Sequence, residues 1–202
     1  MLLYKKLNNF NLILASASPR RRQLLSDCGL QFTLAEKFEC DEHYPATMPC
    51  GEVAEYLSQL KSNAYPAPLQ PNDILLTADT VVIAEGNILG KPTDREEALA
   101  MLRMLSGCKH TVVTGVTLRT TSRTHSFSVA SDVIFREITD EEIAYYVDTY
   151  KPFDKAGAYG IQEWIGYIGV EHIEGSYFNV MGLPVQRLYT ELKKYLKKGC
   201  ED

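Results

Sequence analysis

The sequence lacks the cysteine and histidine spacings that build disulfide frameworks or zinc sites. Its 202 residues contain five cysteines, an odd number, without the short paired spacings of zinc ligands. The four histidines are equally scattered, and no two lie four residues apart. We therefore expect reduced, mostly structural thiols and surface or structural histidines at Cys28, Cys40, Cys50, Cys108, Cys200, His43, His110, His125 and His172.

Long apolar runs and an excess of positive charge are also missing. No segment approaches the length of a transmembrane helix, and no apolar stretch after Lys5 and Lys6 could form the core of a signal peptide. The formal net charge of −5 gives no general attraction to nucleic acid or to an anionic membrane. We expect a cytoplasmic protein that binds neither, and any anionic ligand must be bound by a local basic cluster.

The sequence contains no internal repeat, no low-complexity tract and no convincing linker. Hydrophobic residues make up 45% and charged residues 23%, which is ordinary for a globular protein. A chain of 202 residues can bury a substantial core without disulfides. We predict a single domain over residues 1–202, with its core at about residues 12–196.

Periodicity and capping signals predict strands mixed with helices, without strict alternation. Capping boxes are predicted at Thr93 to Glu96 and at Thr139 to Glu142, and a hairpin turn at Glu174-Gly175-Ser176. This mixture predicts the α/β class, with a curved mixed sheet flanked by helices. Strands are predicted at 12–15, 74–83, 111–118 and 125–135, and helices at 19–28, 51–65, 94–105, 140–150 and 185–196.

A run of three arginines follows a loop of small residues at the predicted start of a helix. Ser18 is a good N-cap, and Pro19 suits the first helical position. Unpaired N–H groups and the helix dipole favour an anion there, and guanidinium groups such as those of Arg20 and Arg21 match phosphate oxygens. The alternative is that the arginines form a solvated helix face.

Asp79 places a carboxylate between two apolar halves of a predicted strand. Such burial costs on the order of several kcal/mol unless a partner, which could be a metal or a water, binds the carboxylate. Glu42 is a candidate second carboxylate, and two carboxylates with a few waters would suit Mg²⁺ or Mn²⁺. Asp79 could instead end the strand and cap a turn, and Glu42 could be a solvated loop acid.

Three further polar side chains lie where a ligand could meet them. Lys61 lies at the edge of the apolar face of a predicted helix, where it either points inward or snorkels to solvent. Lys91 lies between Gly90 and Pro92, in a predicted fixed loop. Gln162 ends a glycine-rich segment and offers the donor and acceptor that recognition of a base edge requires, although such a segment could equally be a turn.

Several motifs in a fixed order together resemble the Maf family of nucleotide pyrophosphatases. The similarity runs from about Leu12 to Tyr189. The motifs that carry it are Ser16-Ala17-Ser18-Pro19-Arg20-Arg21, Ala78-Asp79-Thr80-Val81-Val82, Gly90-Lys91-Pro92, Met104-Leu105-Ser106-Gly107, the segment 154–162, Gly175-Ser176-Tyr177 and Val180-Met181-Gly182-Leu183-Pro184.

The resemblance implies a cytoplasmic, homodimeric enzyme that depends on a divalent cation and has a fold like that of the inosine triphosphate pyrophosphatases (the Maf/Ham fold). It assigns Asp79 as the catalytic acid and Glu42 as the carboxylate that binds the metal together with Asp79. The sequence departs from the family pattern at Glu163-Trp164, where glycine is usual. The implied phosphate-contacting residues are Ser16, Arg21, Lys61 and Lys91, and the implied specificity residues are Arg20, Thr80 and Gln162.

The specificity residues resemble those of the branch that acts on dTTP and UTP. We hypothesise that Asp79 accepts a proton from a water that attacks the α-phosphorus, after which pyrophosphate leaves.

Two alternatives to this function remain open. One is the branch of the same family that acts on 7-methyl-GTP, and the other is a regulator of cell division that binds a nucleotide without hydrolysing it.

Overall fold

The computed structural model describes residues 2–196, so that Cys200 lies outside the described residues. The other four cysteines are free thiols, as predicted. The helices are α1 (Leu3–Leu7), α2 (Pro19–Asp27), α3 (Cys50–Ala64), α4 (Arg95–Leu105), α5 (Asp140–Tyr150), α6 (Trp164–Gly169), α7 (Tyr177–Met181) and α8 (Val185–Tyr195), with a 3₁₀ turn at Ala156–Ala158. The strands are β1 (Asn11–Leu14), β2 (Thr33–Leu34), β3 (Asp73–Ala84), β4 (Asn87–Leu89), β5 (Lys109–Arg119), β6 (Thr124–Phe135) and β7 (Val170–Glu174).

The strands form one mixed sheet in the order β2-β1-β3-β5-β6-β7, with β4 paired to β3. Strand β1 runs parallel to β2 and β3, whereas all other pairs are antiparallel. Helices cover the sheet, which confirms the predicted α/β class with a mixed sheet flanked by helices. The prediction of a single domain stays a prediction.

Helix α3 lies close against the centre of the sheet. Its Val53, Ala54 and Leu57 pack with Val81 and Val113 in one apolar cluster. Close approach depends on Gly115 of β5, because a Cβ atom there would come within 2.2 Å of the Ala54 carbonyl oxygen. Helix α3 is thus held near enough to β3 for its side chains to reach polar residues of that strand.

Strand β3 presents successive side chains to opposite faces of the sheet. Thr77 faces α3 and donates a hydrogen bond to the carbonyl oxygen of Ser58 at 2.7 Å. Asp79, two residues on, faces α3 as well and contacts Lys61. Thr80 faces the other side and accepts a hydrogen bond from Arg21 of α2. One short stretch of strand therefore supplies polar groups to both faces.

One edge of β3 is open in its middle. Strand β1 pairs with this edge only as far as Leu14 with Leu76, and β4 joins it again at Val82. Within the described residues 2–196, residues 77–81 of β3 have a strand neighbour on one side alone, which is β5. Backbone and side-chain groups from both faces of the sheet are therefore accessible from this gap.

Two local predictions were wrong. Helix α4 is capped by Asp94, which accepts from the Glu97 N–H at 2.9 Å, while Glu97 reaches back to Thr93. The capping interaction is one residue later than predicted because Asp94, also a strong N-cap, lies next to Thr93. Residues 174–176 form no hairpin turn, since Ser176 caps α7 and accepts from the Asn179 N–H. The predicted capping box at Thr139 and Glu142 is confirmed.

Candidate active site

A cavity of about 610 Å³ lies at the open edge of β3. Its walls come from the loop after β1, the start of α2, the segment after β2, helix α3, and the segments around residues 91, 154–162 and 180–182. The predicted site residues are distant in sequence, yet all of them line this one cavity, and their roles stay predictions. They are Ser16, Arg20, Arg21, Glu42, Lys61, Asp79, Thr80, Lys91 and Gln162.

The loop before α2 presents a helix N-terminus to the cavity. Ser18 is the N-cap and accepts a hydrogen bond from the Arg21 N–H at 3.4 Å, and Pro19 occupies the first turn. The Ser16 hydroxyl accepts from the Ser18 N–H at 3.3 Å and so closes the loop. Partial positive charge from the end of the nine-residue helix makes this part of the cavity suitable for an anion.

The Arg21 guanidinium connects the loop to the sheet and to the residues after α7. Its Nε donates to the Gly182 carbonyl oxygen at 2.7 Å, and Nη1 donates to the Ala78 carbonyl oxygen at 2.9 Å and to Ser16 at 3.2 Å. Nη2 donates to Thr80 at 3.0 Å. Burial lowers the pKa of Arg21, and the nearby Asp79 opposes this shift. Of five guanidinium hydrogens, one remains for a phosphate oxygen.

The Thr80 hydroxyl belongs to a hydrogen-bonded series that starts at Arg21. The buried Thr114 hydroxyl lies 3.0 Å from the Asn179 carbonyl oxygen, to which it must donate. Thr114 therefore accepts from Thr80, whose hydroxyl oxygen is 2.9 Å away, and Thr80 in turn accepts from Arg21. The Thr80 oxygen is left with a free lone pair, so it can only accept a hydrogen bond from a ligand.

Lys61 lies between the two candidate acidic residues. Its Nζ contacts Asp79 Oδ1 and is 3.2 Å from Glu42 Oε1. The side chains of Lys61 and Asp79 are only 17% and 13% exposed, whereas that of Glu42 is 49% exposed. Lys61 thus points inward, and Asp79 does not end its strand, because β3 continues to Ala84.

The two carboxylates fit a divalent cation only in part. Both converge on the Lys61 ammonium, which marks a position where positive charge is favourable. Within residues 2–196, no group of three or more His, Cys, Asp or Glu residues could hold a metal ion. A cation bound by Glu42 and Asp79 would therefore need further oxygen ligands from phosphate and water, as Mg²⁺ commonly does.

Two cavity lysines, Lys37 and Lys155, were missed by the sequence analysis. Lys37 follows β2 in a segment without periodicity, next to Glu36, and no sequence signal distinguishes it. Lys155 is buried and contacts Asp154 at 2.7 Å.

Lys91, which was predicted, is exposed and has no ion-pair partner in the part of the chain that the structure describes. In total seven lysines and arginines line the cavity, against four acidic residues.

The segment 154–162 forms the wall opposite α3. Asp154 accepts a hydrogen bond from Arg20 at 3.2 Å. The Gln162 Oε1 atom is buried and has no hydrogen-bond partner in residues 2–196. An unpaired buried acceptor is costly, so its presence in a cavity wall favours a ligand that would donate to it.

Residues 11–195 match the family model described as Maf-like protein. The chain belongs to the Maf family. It is 54% identical to a dTTP/UTP pyrophosphatase of Bacteroides thetaiotaomicron over 93% of this chain and 97% of that protein. It is 49% identical to a dTTP/UTP pyrophosphatase of Parabacteroides distasonis, covering 96% of this chain and 100% of that protein.

A solved HAM1 protein from Coxiella burnetii aligns with this Maf protein at a TM-score of 0.45 and 12% sequence identity, over 92% of this chain and 99% of that one. Within residues 2–196, none of the helices has the length and apolar character needed to cross a membrane.

The Maf protein has a buried histidine behind the cavity wall. His110 contacts Tyr159, which lines the cavity, at 2.7 Å. Burial lowers the pKa of His110 to about 4, although Asp132 opposes the shift. The unfolded chain binds a proton near pH 6.5 while the folded state does not, so the free energy of unfolding should fall by about 3 kcal/mol between about pH 6.5 and 4.

Urea unfolding of His110→Gln from pH 7 to 4.5 measures this effect. The variant should lose less of its unfolding free energy across that range than the unmodified protein. The exposed His172 provides the control, and His172→Gln should leave the pH profile unchanged. An unmodified profile that parallels that of His110→Gln would contradict the prediction.

Proposed function

We propose that this Maf protein hydrolyses dTTP and UTP to the nucleoside monophosphate and pyrophosphate. The observation that carries the proposal is one cavity in which Asp79 lies among separated lysines and arginines beside a helix N-terminus. Such a cavity suits a polyphosphate next to a proton acceptor. The choice of substrate is supported by the names of relatives at about half identity over nearly the whole chain.

In the proposed reaction, a water oxygen bonds to the α-phosphorus and the bond from this phosphorus to the bridging oxygen breaks. Asp79 accepts the proton of the attacking water, and its Oδ2 atom, which has no hydrogen-bond partner in residues 2–196, is the atom available for it. Lys61 and Lys91 balance charge on the phosphate oxygens. Phosphoryl transfer depends mainly on such positioning and charge.

A divalent cation, Mg²⁺ or Mn²⁺, would be held by Glu42, Asp79 and phosphate oxygens, and it would neutralise phosphate charge and acidify a nearby water. The exposure of Glu42 allows its side chain to leave Lys61 for such a cation. The Lys61 ammonium, still in contact with Asp79 Oδ1, would then have a donor available for a phosphate oxygen. We also propose that this Maf protein is cytoplasmic and forms a homodimer.

We assign base selection to Arg20, Thr80 and Gln162. Thymine and uracil carry an N–H donor between two carbonyl acceptors. Thr80 offers only a lone pair, and Gln162 offers an unpaired amide oxygen together with its N–H₂ donors. Arg20 at the rim provides donors for a carbonyl oxygen, while its contact with Asp154 holds it in place.

The test is a screen of common and modified nucleoside triphosphates with identification of the products. We expect dTTP and UTP to give monophosphate and pyrophosphate with Mg²⁺ or Mn²⁺, and excess chelator to abolish turnover until the metal is restored. Release of inorganic phosphate instead would contradict the assigned bond cleavage. Preference for 7-methyl-GTP would overturn the substrate assignment, and tight binding without turnover would favour the non-hydrolysing regulator.

A further inference from the structure

The cavity wall at residues 154–162 is held in a defined conformation by the elements behind it. Gly157 and Ala158 both have left-handed backbone angles, with φ of 67° and 58°. A Cβ atom on Gly157 would lie 3.1 Å from the Val82 side chain, so the wall packs directly on β3. Ala158 is fully buried and adopts a conformation that residues with a side chain rarely occupy. Surrounding contacts must therefore impose this conformation.

Tyr146 of α5 supplies one of these contacts. Its ring is fully buried, and its hydroxyl oxygen accepts the backbone N–H of Gly160 at 3.0 Å. The same hydroxyl donates to Glu163 Oε2. Burial raises the pKa of Tyr146, and the adjacent Glu163 carboxylate adds to the shift, so the hydroxyl remains protonated and its donor role is constant. One oxygen atom thus joins the residues on both sides of Gln162.

Ion pairs extend this contact to the rim of the cavity. Glu163 Oε1 lies 3.1 Å from the buried Lys155 ammonium, which also contacts Asp154 at 2.7 Å. The other oxygen of Asp154 accepts from Arg20 at 3.2 Å. Charges alternate in sign along this series, and its inner members Glu163, Lys155 and Asp154 are each paired on both sides. The series starts at Tyr146 and ends at a cavity side chain.

We propose that Tyr146 is a positioning residue for nucleotide selection in this protein, through its contacts with Gly160 and Glu163. The hydroxyl holds the backbone on both sides of Gln162, and the ion pairs hold Arg20, so both cavity side chains are presented to the base in one arrangement. This inference rests on the proposed function. Tyr146 does not line the cavity, so its effect is exerted through the wall.

The experiment compares Tyr146→Phe with Tyr145→Phe, which removes the same hydroxyl from the neighbouring residue, whose side chain is half exposed. For both variants and the unmodified protein, kcat and KM are measured with dTTP, UTP and CTP. For Tyr146→Phe we expect KM for UTP to rise about five- to tenfold, kcat to stay within about twofold, and the UTP preference over CTP to shrink. Tyr145→Phe should match the unmodified protein.

A second variant covers the case in which Tyr146→Phe does not fold. Glu163→Gln keeps an acceptor for Tyr146 but removes the ion pair with Lys155, and it should raise KM for UTP in the same direction. Unchanged KM values, or equal losses of kcat with all nucleotides, would overturn the inference and leave the proposed function standing. An unmodified protein that hydrolyses none of these nucleotides would overturn the proposed function itself.

Discussion

Asp79→Asn is expected to lower UTP turnover by about 10²–10⁴-fold, because an amide cannot accept the proton of the attacking water. The substitution keeps the size of the side chain and an oxygen that can accept from Lys61 Nζ, and Lys61 keeps its contact with Glu42. The fold should therefore survive. Single-turnover measurements at saturating UTP and metal separate this loss from weaker binding, and far-UV circular dichroism with urea unfolding verifies the folded state.

Asp73→Asn is the matched control for this prediction. Asp73 begins the same strand, is also largely buried, and does not line the cavity. Its carboxylate accepts from Asn11 at 3.0 Å and from the Gln70 N–H at 2.8 Å, so the variant can lose stability but should keep turnover. A folded Asp79→Asn protein with near-normal turnover would show that another group accepts the proton.

The local part of this site could be predicted from the sequence because its signals are short-range. A run of small residues, Ser18 as a cap and Pro19 in the first turn indicate a strand, a loop and a helix without any knowledge of the rest of the chain. Asp79 was conspicuous because a carboxylate in an apolar strand needs a partner. Its partner in the structure, Lys61, was not predicted as such, because the sequence left open whether that lysine points inward or snorkels to solvent.

The long-range part could not be predicted, because it depends on which residues the sheet brings together. Tyr146 lies 17 residues before Glu163, and Thr114 lies 34 residues after Thr80, and no periodicity connects either pair. Lys155 lies within the motif of residues 154–162, but no sequence signal indicates that its side chain is buried. The wrong prediction of a hairpin turn at residues 174–176 also has a long-range cause. Gly175 packs against Ser131 of β6, and Ser176 caps a short helix.

The structure changes the role assigned to Arg21, a residue that the sequence analysis had already singled out. Its position among three arginines favoured a phosphate contact. In the structure, four of its N–H groups are bound by Ser16, Ala78, Thr80 and Gly182. The guanidinium therefore positions the anion-binding loop, and its remaining N–H is the one that can reach a substrate.

Arg21→Lys is the second substitution for which we expect a large effect. A lysine keeps the charge, but its three donors radiate from one atom and cannot reach four acceptors that are spread over the loop before α2, strand β3 and the residue after α7. The carbonyl oxygens of Ala78 and Gly182 would lose their partner, at a cost of about 1–3 kcal/mol each in the free energy of unfolding. Displacement of the loop should also lower kcat/KM for UTP by about 100-fold.

The measurements are urea unfolding and steady-state kinetics, with Arg103→Lys as the control because Arg103 is an exposed residue of α4 that binds Asp140 away from the cavity. That variant should behave like the unmodified protein in both assays. The informative comparison is with Arg21→Met, which removes the charge as well. If Arg21→Lys kept normal stability and activity while Arg21→Met lost activity, positive charge alone would matter, and Arg21 would act as a phosphate ligand rather than through its planar donors.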